Sequence, residues 1–237
     1  SCSLDPRRKI LRSLVHKFLV ALSNRNDQLK VECWVEGRKA TFWMRRANEA
    51  DYFVTGEILK GQYKTPTFTP KQIIDAGANI GAFTSYASAM FPGVPITCYE
   101  PDTKNSQMLR EHLPDGCTHI PKGVWSHSAT LYYHAGASHQ GWIDEKPPGE
   151  PIPVELPTIQ EDCWLKLDAE GAEYQVLPEL MKNPVKPRFI SLELHLLDER
   201  GGNQLMKKLF ACGYDCAEDE KCQKSGAGAI FNLELAC

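Results

Sequence analysis

The chain has 237 residues, 42% hydrophobic and 24% charged, which is enough apolar material for one sizeable core and excludes global disorder. Lys and Arg number 27 against 30 Asp and Glu, a net charge of -3, so the basic footprint that long nucleic acids call for is missing. No apolar run approaches the ~20 residues of a membrane span.

Asp5-Pro6 reads as a helix cap followed by Pro at the first helical position. An amphipathic helix is expected from there to about Leu22, carried by Ile10, Leu11, Leu14, Val15, Phe18, Leu19 and Leu22. Arg12, His16 and Lys17 interrupt its apolar side, so it is no signal-peptide core, and the basic Arg7, Arg8 and Lys9 read as a solvated first turn. Asn24 to Asp27 is a turn, and Leu29 to Val35 and Ala40 to Met44 form a hairpin across Glu36-Gly37-Arg38. Ala50 to Leu59 is helical and Gly61 to Pro70 a loop.

From Lys71 onward strands and helices alternate. Strands are expected at Ile73 to Asp75, Pro95 to Glu100 and His119 to Trp125, with helices over Gly81 to Met90 and from Asp102 to about Leu113. Leu131 to His134 is a β excursion, and Gly136 to Pro157, rich in Gly and Pro, a long loop beside a site. Strand Cys163 to Leu167, helix Glu173 to Met181, strand Phe189 to Leu194 and helix Asn203 to Ala211 follow. Strands near Tyr214 to Cys216 and Ala229 to Leu235 close the chain. Repeated βα units make a parallel, doubly wound α/β sheet over residues 71–237, with residues 1–70 as an N-terminal helix and β-hairpin extension.

In such a sheet, ligands sit at the carboxyl ends of the strands. The first βα turn reads Asp75-Ala76-Gly77-Ala78-Asn79-Ile80-Gly81. Gly77 permits a tight turn with close ligand approach, and Gly81 lets the helix start against the strand. Asn79 tolerates left-handed geometry. Glu100, 19 residues past Gly81, ends the second strand, where a carboxylate can accept from both ribose hydroxyls of an adenosine. A nicotinamide dinucleotide favours closely spaced glycines that cradle its pyrophosphate, and the middle glycine of that pattern is Asn79 here. S-adenosylmethionine has no phosphate and tolerates Asp75 beside the turn.

The second constellation runs from Trp164 to Glu173. Lys166 and Asp168 share one face of a strand, and a buried lysine needs a partner, for which Asp168 is the natural choice. Glu170 and Glu173 open the next helix, where its dipole favours carboxylates. Glu193 and His195 share a face at the end of the neighbouring strand. This set can deprotonate a hydroxyl. A divalent ion on Asp168, Glu193 and His195 is conceivable, but no metal is predicted, since hard cations prefer more oxygen ligands. His127, His134 and His139 show no ligand spacing.

The nine cysteines include no C-x-x-C pair, and Cys212, Cys216 and Cys222 lack a nearby His, so reduced thiols and a cytoplasmic setting are expected. The chain opens on Ser1, which leaves room for an upstream targeting segment.

The motifs Ile73 to Thr84, Cys98 to Asp102, Leu165 to Glu173 and Leu192 to His195 resemble FkbM-type S-adenosylmethionine-dependent methyltransferases, and Ala50 to Tyr63 looks like that family's segment before the first sheet strand. The resemblance implies a class I methyltransferase fold, a Rossmann-like sheet of seven strands with the last antiparallel. It implies O-methylation of a sugar or small-metabolite hydroxyl, with S-adenosylhomocysteine as product. By position, Asp75, Gly77, Ala78, Asn79, Gly81, Glu100, Pro101, Gly123 and Val124 would hold the donor. Lys166, Asp168, Glu170 and His195 would face the acceptor, with His195 or Asp168 as base. The lead-in from Leu156 to Cys163 is shorter than the family's usual one. The rival readings are a dinucleotide-dependent oxidoreductase and a non-catalytic donor-binding scaffold.

Overall fold

The computed structural model describes residues 19–25, 27–136, 141–195, 201–216, 223–225 and 228–236. Three antiparallel strands open it: β1 (Leu19–Arg25), β2 (Gln28–Val35) and β3 (Arg38–Arg45). The expected hairpin forms between β2 and β3, with Glu36 and Gly37 both at positive φ (49° and 76°), the geometry a two-residue turn needs to match strand twist. The expected helix to Leu22 is corrected at its end, and residues 1–18 lie outside the described residues. Leu19 to Leu22 is strand, because the outer edge of β2 offers a backbone ladder that overrides a helical apolar period.

Helix α1 (Glu49–Lys60) starts where the Asn48 side chain accepts from the Ala50 N–H and ends on Gly61 in the left-handed conformation. Then β4 (Gln72–Ala76), α2 (Ala82–Met90), β5 (Ile96–Tyr99), α3 (Thr103–Glu111) and β6 (Cys117–Ile120) follow the alternating pattern. The single strand expected over His119 to Trp125 is two. Pro121, with no N–H to donate, ends β6, and β7 (Gly123–Val124) joins a second sheet. That sheet takes up β8 (Ala129–His134), β9 (Trp142–Asp144) and β10 (Glu150–Glu155) in the order β7-β10-β8-β9. The long loop expected over Gly136 to Pro157 therefore contains two strands. Prolines at 151 and 153 hid β10, yet β7 reaches only Val154 and Glu155, so the edge beside those prolines carries no ladder there.

The alternation resumes with β11 (Cys163–Leu167), α4 (Glu173–Leu180), β12 (Phe189–His195), α5 (Gly202–Ala211), β13 (Tyr214–Cys216), β14 (Gln223–Ser225) and β15 (Gly228–Leu235). The main sheet runs β13-β15-β12-β11-β4-β5-β6, parallel from β12 to β6, with β15 antiparallel to both its neighbours. Short β14 pairs with β15, so the described sheet has eight strands rather than seven.

Every residue of β11 and β12 is buried, as in a sheet covered on both faces. Ile73, Trp164 and Phe189 pack on one side with α1, α2 and the N-terminal strands, while Ile74, Leu165 and Ile190 pack on the other with α4 and α5. By the period of two, Asp75, Lys166, Glu193 and His195 all fall on the first side. Among the described residues no helix is long and apolar enough to cross a membrane.

Candidate active site

The turn after β4 is fastened from within. Gly77 and Ala78 both donate to the Tyr99 carbonyl (3.0 and 2.9 Å), and Gly81 donates to Ala78 (2.8 Å). Asn79 lies at φ 52°; its N–H donates to Glu100 Oε2 (2.8 Å) while its side-chain oxygen accepts from the Ile80 N–H (2.8 Å). Gly77 is required for a reason beyond ligand approach: at φ 79°, a Cβ there would stand 1.8 Å from the carbonyl oxygen of Asp168. The turn thus rests directly on the end of β11. A Cβ on Gly81 would meet the Leu109 side chain of α3 at 2.6 Å, so the close approach there is to a neighbouring helix rather than to the strand expected for it.

Glu100 follows β5 and receives two backbone donors, Asn79 on Oε2 and Asp102 on Oε1 (2.9 Å). Burial pushes its carboxyl up to about 7, against the pull of those two N–H groups. It lines a cavity of about 730 Å³, a size suited to a nucleoside with an acceptor beside it. Of the expected donor residues, Gly77, Ala78, Asn79, Pro101, Gly123 and Val124 line it too. Asp75 and Gly81 do not. Asp75 sits behind the wall, fully buried, with Thr84 Oγ1 on Oδ2 (2.7 Å) and Lys166 Nζ 3.4 Å from Oδ1.

Lys166, Asp168, Glu170 and His195 line the same cavity, so the structure brings the two sets together. Lys166 stands in register with Asp75 on the adjacent strand, a partner hidden from sequence spacing. Its Nζ donates to the Gly77 carbonyl (2.6 Å) and pairs with Asp168 Oδ2 (3.3 Å). Burial alone would discharge this amine, but Asp168 and Asp75 hold its pKa above the ordinary value. Asp168 is held below the usual carboxylate range because Lys166, then His195, outweigh its own burial.

His195 is surrounded by carboxylates. Glu173 Oε1 lies 3.3 Å from Nδ1, and Glu170 Oε2, Glu193 Oε1 and Asp168 Oδ1 lie 3.4, 3.8 and 3.9 Å from Nε2. Burial opposes its charge, but Glu173 and the other acids overcome this and push His195 up to about 10. Glu193 is pushed up to about 8 by burial and by Asp168. Glu173 does more than complement the start of α4, since Oε1 also accepts from the Ala169 N–H (2.9 Å).

Two residues expected only as loop belong to this site. Gln62 Nε2 donates to Glu193 Oε2 (2.9 Å), and the Tyr63 hydroxyl donates to Asp168 Oδ2 (3.1 Å). The glycine that stops α1 delivers them, but no local periodicity marks them as site residues.

Residues 75–216, more than half of the chain, match the methyltransferase FkbM domain. No curated protein sequence matches the chain. Among solved structures, the TYW2 of M. jannaschii in complex with AdoMet is 11% identical, covering 94% of this chain and 95% of that one, with a TM-score of 0.45. The Methanococcus jannaschii fibrillarin pre-rRNA processing protein is 12% identical over 91% of this chain and 97% of its own, TM-score 0.45. Precorrin-6y C5,15-methyltransferase from Geobacter metallireducens is 13% identical over 72% and 82%, TM-score 0.43. With the domain match running from the end of β4 to the end of β13, the chain belongs to the FkbM methyltransferase family.

Proposed function

We propose that the protein transfers a methyl group from S-adenosylmethionine to a hydroxyl of a sugar or small metabolite. The observation that carries the donor half is the closed turn: each backbone N–H from Gly77 to Gly81 is already engaged within the protein. A pyrophosphate needs such groups free, and the Glu100 carboxylate beside them would repel it. A phosphate-free adenosine fits, with Glu100 accepting from its ribose while Gly123 and Val124 flank it. S-adenosylmethionine, when bound, supplies an electrophilic methyl on a sulfonium.

The chain's own groups then position the acceptor. Exposed Phe53 and Trp142 border the cavity and offer flat faces to a ring, and Asp168 at its wall accepts a hydroxyl hydrogen bond. Alignment of that oxygen supplies much of the rate. Of the two bases expected, Asp168 is the better suited to take the proton, because His195 already carries one. His195 then orients the surrounding carboxylates.

The test is turnover of labelled S-adenosylmethionine against a panel of hydroxylated metabolites, with calorimetry of S-adenosylhomocysteine beside NAD. Binding of the first and not the second is expected. Asp168→Asn should lower turnover about 10²-fold or more with donor affinity little changed. Equal losses in both would end this division of roles.

A further inference from the structure

We infer that Asp168, Glu193 and His195, with Glu170 beside them, form a divalent-cation site on the cavity wall. One ligand atom from each of the first three lies within 4.8 Å of the others. Around His195 Nε2 the separations are 3.4 Å to Glu170, 3.8 Å to Glu193 and 3.9 Å to Asp168. Ligands bound tetrahedrally at about 2.1 Å stand roughly 3.4 Å apart, so these atoms, within 4.8 Å of one another, would draw together to seat an ion.

The atoms facing away from this point are tied. Gln62 holds Glu193 Oε2, Tyr63 and Lys166 hold Asp168 Oδ2, and Glu173 holds His195 Nδ1. Glu193 Oε1, Asp168 Oδ1 and His195 Nε2 are the atoms left to face one another. A buried carboxylate on the far nitrogen of a histidine is the arrangement that orients imidazole toward a metal. Glu173 is fully buried, and among the described residues its Oε2 has no hydrogen-bond partner. Charge points the same way. Five acidic side chains, Asp75, Asp168, Glu170, Glu173 and Glu193, gather around two basic ones, Lys166 and His195, so a divalent ion would supply the countercharge this buried wall lacks when they ionise.

Ligands bind a metal in their deprotonated form, so the ion displaces the protons that His195 Nε2 and Glu193 carry, and these leave to solvent. One imidazole with carboxylates and no thiolate favours Mn²⁺ or Zn²⁺ over Ca²⁺. The inference goes beyond the methyl-transfer reading and stands without it, because cation binding is read with no donor present.

The experiment is titration calorimetry of the chelator-treated full chain with MnCl2, ZnCl2 and CaCl2 in two buffers of different ionisation enthalpy. One ion per chain is expected, with Mn²⁺ or Zn²⁺ tighter than Ca²⁺ and a buffer-dependent heat showing proton release. Glu193→Gln and His195→Gln should each weaken binding about 10²-fold, and Glu173→Gln about 10-fold, while circular dichroism and S-adenosylhomocysteine binding report an intact fold. No binding at millimolar metal, or unchanged binding in both ligand variants, overturns the site. If a variant does not fold, the wild-type chain decides: Zn²⁺ must remove the His195 Nε2–H signal from its imidazole NMR spectrum, and its persistence at saturating metal overturns the proposal.

Discussion

Lys166 Nζ donates to the carbonyl oxygen of Gly77 at 2.6 Å, so a side chain of β11 holds the turn that follows β4. The same amine lies 3.4 Å from Asp75 and 3.3 Å from Asp168. One buried cation therefore ties the turn after β4 to the end of β11.

Replacing Lys166 by Met leaves Asp75 and Asp168 without their cation. Removing one partner of a buried ion pair costs about 3–5 kcal/mol, far more than the pair itself contributes. Lys166→Met should lose stability of that order in denaturant unfolding. Lys166→Met with Asp75→Asn should regain part of the loss, since one uncompensated charge is gone. A double variant as unstable as the single one would place the damage elsewhere.

Gly77→Ala tests the contact between turn and strand. The added methyl would meet the Asp168 carbonyl at 1.8 Å, in a left-handed conformation that already disfavours Ala. A loss of about 3 kcal/mol or more is expected, because backbone meets backbone and neither yields. Gly37→Ala is the control: its φ is 76° but nothing lies within 4 Å, so about 1 kcal/mol should go. Equal losses at the two positions would show that conformation alone sets the cost at Gly77.

How much of this was legible beforehand depends on the range of the interactions. The turn from Asp75 to Gly81 and the largely apolar, fully buried β11 and β12 were readable, because left-handed positions and buried parallel strands leave local signatures. Lys166 was paired with Asp168 from period-two spacing, but its pairing with Asp75 arises from register between β4 and β11, which no local pattern encodes. Gln62 and Tyr63 were hidden for the same reason, standing more than a hundred positions from the acids they hold. Of the second sheet, β8 was read as a β excursion, but β10 was missed because Pro151 and Pro153 argue against a strand until one knows where β7 ends.

Glu100 gives a pH dependence. Its ordinary pKa of 4.5 rises to about 7 in the fold through burial, so the folded chain binds this proton more tightly than the unfolded one. Its contribution to stability is therefore favourable at low pH and declines as pH rises from about 4.5 to about 7. Donor affinity should run the other way, because the ionised carboxylate is the better acceptor for ribose hydroxyls. Calorimetry with S-adenosylhomocysteine from pH 5.5 to about 8.5 should show affinity rising through about 7 and levelling off, and Glu100→Gln should flatten the curve. A wild-type profile that is flat would remove Glu100 from the donor contacts.

Tyr63→Phe separates positioning from architecture. The ring packs edge-on against Phe83, with centroids 5.6 Å apart, and lies under Lys166 Nζ at 6.0 Å, and both contacts survive the change. What goes is the hydroxyl that donates to Asp168 Oδ2 at 3.1 Å and lies 3.4 Å from Glu193 Oε2. Losing one hydrogen bond to charged groups costs about 1.5–3 kcal/mol, partly offset because a buried hydroxyl no longer needs a partner. Unfolding should thus shift by about 1–2 kcal/mol. Asp168, still paired with Lys166, gains freedom to turn, so turnover should fall about 10-fold while S-adenosylhomocysteine binds as before. Steady-state kinetics on any accepted hydroxyl compound, read beside donor calorimetry, decides it. A drop in donor affinity matching the drop in turnover would mean that Tyr63 supports the cavity as a whole rather than Asp168 alone.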